Sequence, residues 1–187
     1  MKVKFASQNR NKLRELSALL PDWELEPLDA KGYPPETGET YYENARGKAL
    51  FGPDDAWVLG EDSGLEVEAL GGRPGVRSAR YGAEGKEANE RLLGELRGVE
   101  DREARYVCEL VLIGPDRREL RGTGTLEGRI GEEPRGEEGF GYDPIFVPEG
   151  EDRTVAQLGN DWKLRNSHRA RAAQALLGEA GSLLLPD

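Results

Sequence analysis

The residue types best suited to chemistry sit together in the run Gly60-Glu61-Asp62-Ser63-Gly64, where two adjacent carboxylates are flanked by glycines. Glycine on either side lets backbone approach a ligand closely. Neighbouring residues on an extended chain point to opposite faces, so one of the two acids leads in any single site, and Asp62 is the favoured one. The apolar run Ala56-Trp57-Val58-Leu59 just before it reads as a short buried strand. That places Asp62 and Ser63 where the chain leaves a sheet edge, a usual position for chemistry in layered α/β proteins. Asp-Ser-Gly is also common turn chemistry. The glycine punctuation continues through Gly71-Gly72-Arg73-Pro74-Gly75, well beyond what one turn requires.

Three further runs could bind a ligand. Ser7-Gln8-Asn9-Arg10-Asn11-Lys12 joins a strand-like Val3–Ala6 to a helical pattern at Leu13, Leu16 and Leu20 that Pro21 closes. The N–H groups at a helix N-terminus favour an anion, Ser7 and Asn9 add neutral donors, and Lys12 adds a point charge. The spacing is not that of a Walker loop, and on their own these residues read as capping plus a solvated lysine. In Gly139-Phe140-Gly141-Tyr142-Asp143, Phe140 lies between glycines, poorly placed to pack in its own loop and well placed to stack on a base, which is worth ~1–3 kcal/mol. Tyr142 and Phe146 read as core anchors. Near the C-terminus a helical periodicity over Asp161–Glu179 carries Lys163 and Ser167-His168-Arg169. A lone histidine is more often structural than catalytic.

The elements that must hold these runs follow from the periodicity. Trp23–Glu26 reads as a strand, and a loop bearing Pro34-Pro35 leads to Glu36-Thr37-Gly38. Thr40 with Glu43 forms a capping-box pattern that opens a helix carrying Lys48 and running to about Phe51. Lys86–Leu96 reads as a charged helix, Arg105–Ile113 and Glu119–Glu127 as strands joined by a turn. This order implies an α/β protein with a mixed sheet.

Composition limits the rest. At 187 residues the chain fits one domain, or two lobes sharing a cleft. With 33% charged and 36% hydrophobic residues it should fold with a heavily charged surface. A formal net charge of −10 argues against general nucleic-acid binding, and a polyanionic small ligand would need a local cationic pocket, with a divalent cation helping. The single Cys108 excludes an intramolecular disulfide, fits a reducing cytosol, and lies in an apolar run as a buried small hydrophobe. No apolar stretch approaches the ~20 residues of a membrane span, and the chain opens directly on a strand-like run without a signal-peptide pattern.

Taken together, Asp62-Ser63-Gly64-Leu65, Ala69-Leu70-Gly71-Gly72-Arg73-Pro74-Gly75-Val76 and Ser78-Ala79-Arg80-Tyr81 resemble the signature of the inosine triphosphate pyrophosphatase, or HAM1-like, family. The likeness recurs in Ser7–Lys12, in Glu36-Thr37-Gly38 with Glu43-Asn44-Ala45, in Gly139–Pro144 and in Ser167-His168-Arg169. The blocks keep the family's order and span nearly the whole chain, so residues 1–187 read as one such domain. The resemblance implies an elongated mixed sheet with flanking helices, two lobes around a central substrate cleft, and a homodimer. It implies a cytoplasmic hydrolase that converts ITP, dITP, XTP and dXTP to monophosphate and pyrophosphate. A pyrophosphatase for modified pyrimidine nucleotides and a non-catalytic nucleotide sensor are the alternatives. Mg2+ would be held by Asp62 and Glu36, with the register around Glu36 open. Asp62 would also be the general base, directly or through the metal. Ser7, Gln8, Asn9, Arg10, Asn11, Lys12, Lys48 and Ser63 would bind the triphosphate. Phe140, Gly141, Tyr142, Asp143, Lys163, His168 and Arg169 would complete the substrate site, with His168 and Arg169 donating to the 6-oxo group of the base.

Overall fold

The computed structural model describes residues 1–30, 32–82 and 85–184. In chain order the elements are β1 (Lys2–Phe5), α1 (Arg10–Leu19), β2 (Glu24–Pro27), α2 (Tyr41–Leu50), β3 (Trp57–Val67), β4 (Arg73–Pro74), α3 (Gly85–Glu95), β5 (Glu103–Ile113), β6 (Glu119–Ile130), β7 (Phe146–Pro148), α4 (Val155–Leu158), α5 (Asn160–Asn166) and α6 (His168–Leu184). Short 3-10 turns at Glu68–Leu70 and Gly75–Arg80 flank β4. The seven strands form a sheet ordered β2-β1-β3-β5-β6-β7, with β4 added to β3. β1 runs parallel to β2 and β3, whereas β4 on β3 and β7 on β6 are antiparallel, so the sheet is mixed as expected for an α/β chain.

The chain divides into two compact units. The first comprises Met1–Asp62, Cys108–Gly124 and the chain from His168. Its core packs Val3, Phe5 and Leu59 with Leu16 and Leu20 of α1, Leu110 and Leu112 of β5, and Ala172, Ala173 and Leu176 of α6. Cys108 is fully buried in that core, the small hydrophobe that its apolar run predicts. The second unit comprises Ser63–Val107 and Thr125–Ser167. Leu65, Val67, Leu92, Leu96, Tyr106, Tyr142, Ile145 and Phe146 form its core, with the Tyr106 and Phe146 rings 4.6 Å apart. Tyr142 and Phe146 are therefore core anchors, as the sequence indicates.

Three differences from the expected elements bear on the site. β3 does not end at Leu59 but runs on to Val67, which places Asp62 and Ser63 inside a strand and not at its exit. The cause is the buried pair Leu65 and Val67, which continues the extended pattern past the glycines. α1 begins at Arg10, so half of the expected loop is already helix. The C-terminal helix is two helices, because Ser167 takes an extended conformation between them.

Glycine sets how closely helices approach the strands of the first unit. A Cβ at Gly60 would lie 1.9 Å from the carbonyl oxygen of Ala45 on α2, and one at Gly124 would lie 2.1 Å from that of His168 on α6. Side chains at these positions cannot be accommodated without moving backbone. We expect Gly60→Ala to destabilise the protein by ~1–3 kcal/mol, the usual cost of overpacking, read from the urea midpoint. An unchanged midpoint would mean that α2 does not need this close approach.

Candidate active site

Asn9 caps α1: its Oδ1 accepts from the backbone N–H groups of Asn11 at 3.0 Å and Lys12 at 3.2 Å, and its own N–H donates to Ser7 Oγ at 3.2 Å. The cap orients the first turn so that Lys12 points inward. Its Nζ lies 2.6 Å from Glu61 Oε2 and the side chain is mostly buried, so the solvated lysine allowed by the sequence is not what the fold builds. Gln8 and Arg10 remain exposed, and Asn11 is half-buried with its Oδ1 accepting from Arg14 Nη2.

Glu61 is inaccessible to solvent, and three groups converge on it. Lys12 reaches one oxygen, and Arg169 Nη2 donates to the other at 3.0 Å. The Cys108 thiol lies 3.7 Å from that second oxygen. Arg169 Nη1 donates to Glu15 Oε2 at 2.6 Å. Burial alone would raise the Glu61 pKa, but the Lys12, Arg169 and Lys48 charges and the Lys12 hydrogen bond together hold it well below the usual carboxylate range. The same carboxylate, added to burial, pushes the Cys108 thiol up and removes it as a nucleophile. Arg169 is thereby placed differently from the expectation of a base-reading donor. Its guanidinium is buried and engaged with two carboxylates, and a buried arginine is committed to them because leaving either unpaired is costly.

Asp62, one residue on, faces another set of partners, as the alternation of an extended strand requires. Asn44 Nδ2 donates to its Oδ2 at 3.0 Å, and Lys48 Nζ lies 3.6 Å from Oδ1. Asn44 and Lys48 are four residues apart on α2 and so share a face. Lys48 Nζ also donates to the Glu61 carbonyl at 2.9 Å and forms an ion pair with Glu36. Asn44 Oδ1 accepts from Gly38 N–H at 2.8 Å, which fastens the Glu36-Thr37-Gly38 loop to the helix. Glu43 serves the cap: Thr40 Oγ1 accepts its N–H, and its carboxylate accepts from Thr40 N–H, the capping box that the sequence predicts. Burial, and then the Glu61 charge, push the Asp62 carboxyl above its ordinary value against the opposing pull of Lys48, Asn44 and Lys12. The Lys48 ammonium is itself held up by Asp62, Glu61 and Glu36 against the burial that would lower it.

Asp62 and Glu36 thus converge on one cation, the Lys48 ammonium. Two carboxylates facing a shared positive charge are the hard oxygen donors that a divalent cation takes. Among the described residues no group of three or more His, Cys, Asp or Glu side chains is arranged to hold a metal.

In the second unit, the loop Gly139–Asp143 is organised by Asp143. Its Oδ2 accepts from Phe140 N–H at 2.8 Å and from Lys163 Nζ at 2.6 Å, and its Oδ1 accepts from the Tyr106 hydroxyl at 3.3 Å. The Lys163 ammonium also lies 4.1 Å from the Phe140 ring centroid. Tyr142 OH donates to Ser78 O at 2.9 Å, and Ser78 Oγ accepts from Leu65 N–H at 2.8 Å, which ties this loop to the Ser78-Ala79-Arg80-Tyr81 run. A Cβ at Gly139 would meet the Asp143 carboxylate at 2.2 Å, and its φ of +78° favours glycine in any case. Phe140 is half-buried, Gly141 exposed, and Lys163 and His168 buried. Ser63 is half-buried on β3.

Sequence reasoning missed Glu61 as the centre of the charge cluster, Glu15 as the second partner of Arg169, and Asn44 as the residue that holds Asp62. The Asn44 and Lys48 spacing was a usable signal. The Glu15–Arg169 pair spans 154 residues, and no local pattern announces it.

Glu61 gives a direct test. Because its pKa is lowered in the folded state, its contribution is full above the ordinary glutamate value of 4.5 and is lost as pH falls below that value. Glu61→Gln leaves buried cations short of a partner and should cost ~3–5 kcal/mol at neutral pH, with a flatter stability profile below pH ~4.5 than the wild type. Urea unfolding between pH 3 and 7, chosen to bracket that ~4.5 value, measures both. A variant as stable as the wild type at pH ~7 would contradict the assignment.

The Ham1 family model matches residues 3–179. The dITP/XTP pyrophosphatase of Thermus thermophilus is 48% identical over 188 residues, covering 95% of this chain and 90% of that protein. The dITP/XTP pyrophosphatase of Deinococcus deserti is 45% identical over 180 residues, covering 93% and 86%. Among solved structures, the Staphylococcus aureus Ham1 protein superposes with a TM-score of 0.85 at 37% identity, covering 98% of each chain. A Mycobacterium abscessus nucleoside-triphosphatase / dITP/XTP pyrophosphatase gives 0.71 at 36% identity, covering 100% of this chain and 98% of that one. The match along nearly the whole chain, in sequence and in fold, makes this protein a member of the Ham1 family.

Proposed function

We propose that this chain hydrolyses non-canonical purine nucleoside triphosphates, ITP, dITP, XTP and dXTP, to the monophosphate and pyrophosphate, and so removes deaminated purines from the nucleotide pool. The observation that carries the reading is the convergence of Asp62 and Glu36 on one cation, the Lys48 ammonium, beside the Lys12–Glu61 pair, two inward-facing lysines in a chain of net charge −10. The relatives' names supply the substrate class.

In this reading Lys12 and Lys48 bind the triphosphate and stabilise charge developing on it, with Ser7, Asn9 and Ser63 adding neutral donors. Asp62, its carboxyl raised by burial and aligned by Asn44, takes the proton of the attacking water. Asp62 and Glu36 are the residues that would hold Mg2+, and the ion neutralises phosphate charge when bound. Attack at the α-phosphorus releases pyrophosphate, and the nucleoside monophosphate keeps the oxygen from water. Phe140 takes the face of the base, and Lys163 and Asp143 hold the loop that carries it. His168 is assigned the donor to the 6-oxo group, an acceptor where adenine carries a donor. Arg169 acts one step back, by fixing Glu61.

Three finer readings belong here. The family resemblance supports a homodimer, the donor set supports Mg2+, and the single cysteine fits a reducing compartment, the cytoplasm. No described helix is long and apolar enough to cross a membrane.

The test is pyrophosphate release over the standard and deaminated nucleoside triphosphates with Mg2+, on wild type and Asp62→Asn. The wild type should prefer ITP and XTP, and chelation of the metal should stop the release. Asp62→Asn should fold normally and lose at least ~10²-fold in kcat. Preference for modified pyrimidines, or binding of ITP without turnover, would replace this reading with another. Near-native turnover by Asp62→Asn would remove Asp62 from the chemistry.

A further inference from the structure

Asn89 lies on α3, and its side chain is almost fully buried. Its Nδ2 donates to the carbonyl oxygen of Gly141 at 3.1 Å, across 52 residues of sequence. Gly141 follows Phe140 in the loop that Asp143 and Lys163 organise, and it adopts a φ of +65°. A Cβ there would meet nothing within 4 Å, so neighbouring atoms do not hold Gly141 by contact on that side. The loop is fixed by hydrogen bonds from three directions: Asp143 to Phe140 N–H, Tyr142 to Ser78, and Asn89 to Gly141.

The other half of the amide sharpens the point. Asn89 Oδ1 is buried and has no hydrogen-bond partner among the described residues. Flipping the amide would face two acceptors, Oδ1 and the Gly141 carbonyl, toward each other, so the orientation is settled by the network. A buried acceptor left without a partner costs at least what an ordinary intramolecular hydrogen bond returns. The bond to Gly141 is thus offset by the stranded acceptor, and a side chain with that balance belongs where placement matters more than stability.

We infer that Asn89 is a positioning residue for substrate: it holds the Gly141 carbonyl, and so sets the Phe140 ring at the height and tilt at which a purine stacks on it. The inference rests on the assignment of Phe140 to the base. It adds a residue on a separate helix whose side chain, among the described residues, bonds to this loop alone. Stacking contributes alike to ground state and transition state, so its loss appears in KM and leaves kcat nearly unchanged.

The experiment compares wild type, Asn89→Leu, Phe140→Ala and the double variant. Leucine keeps the branched shape of asparagine, with bulkier methyl groups, and removes both the donor and the stranded acceptor. Asn89→Ser, smaller and still polar, carries the same test should the leucine variant not fold. Expected for the Asn89 variant are an unchanged or raised melting temperature, amide hydrogen exchange about 10-fold faster at residues 139–142, and a KM for ITP about 10-fold higher at near-native kcat. Inhibition by inorganic tripolyphosphate, which has no base, should be unaffected. In the Phe140→Ala background the Asn89 substitution should add little to KM, since the two act through one contact. Unchanged exchange in the loop, or equal losses for ITP and tripolyphosphate, overturns the inference while leaving the base assignment intact. If Phe140→Ala itself leaves the KM for ITP unchanged, the assignment of Phe140 to the base fails and the inference falls with it.

Discussion

A carboxylate without solvent, Glu61, is the constraint on which the first unit's chemistry depends. An ionised carboxylate in the interior is tolerable only with charged and hydrogen-bonded partners, and Lys12 and Arg169 supply them from α1 and α6. Lys12 is in turn held by the Asn9 cap of its own helix, and Arg169 is held by Glu15 of α1. One buried charge therefore joins β3, α1 and α6. The sheet glycines make this possible, because Gly60 and Gly124 allow α2 and α6 to approach nearer than any side chain would permit.

Asp62 inherits a different environment by the simple alternation of a strand. Where Glu61 meets two cations at short range, Asp62 meets one at 3.6 Å and an amide at 3.0 Å, and burial then dominates. Two adjacent acids are thus driven in opposite directions, one fixed as an anion and the other raised above its ordinary value. In the proposed reaction the first organises the phosphate-binding lysine and the second handles the proton. The Glu61 charge is also among the forces that raise Asp62, so the structural acid helps set the protonation of its neighbour.

Much of this was legible in the chain. The mixed α/β order, the Thr40–Glu43 capping box, the core roles of Tyr142 and Phe146 and the buried Cys108 follow from periodicity and local chemistry. The extent of β3 was not read, although Leu65 and Val67 carried the alternation past Gly64, because the glycines look like an ending. The break at Ser167 has no glycine or proline to mark it. Roles set by distant partners were beyond local reasoning. Arg169 looks like a ligand-facing residue from its neighbours Ser167 and His168, and only the fold shows Glu15 and Glu61 beside it. Asn89 sits in a charged helix with nothing local to set it apart.

The divergence of the two adjacent acids can be read directly by carbon-13 NMR of the side-chain carboxyls, titrated in the metal-free protein. The account predicts that Asp62 titrates above the ordinary aspartate value and that Glu61 stays ionised until acid unfolds the protein. Two carboxyls titrating together near the usual ~4 would contradict it.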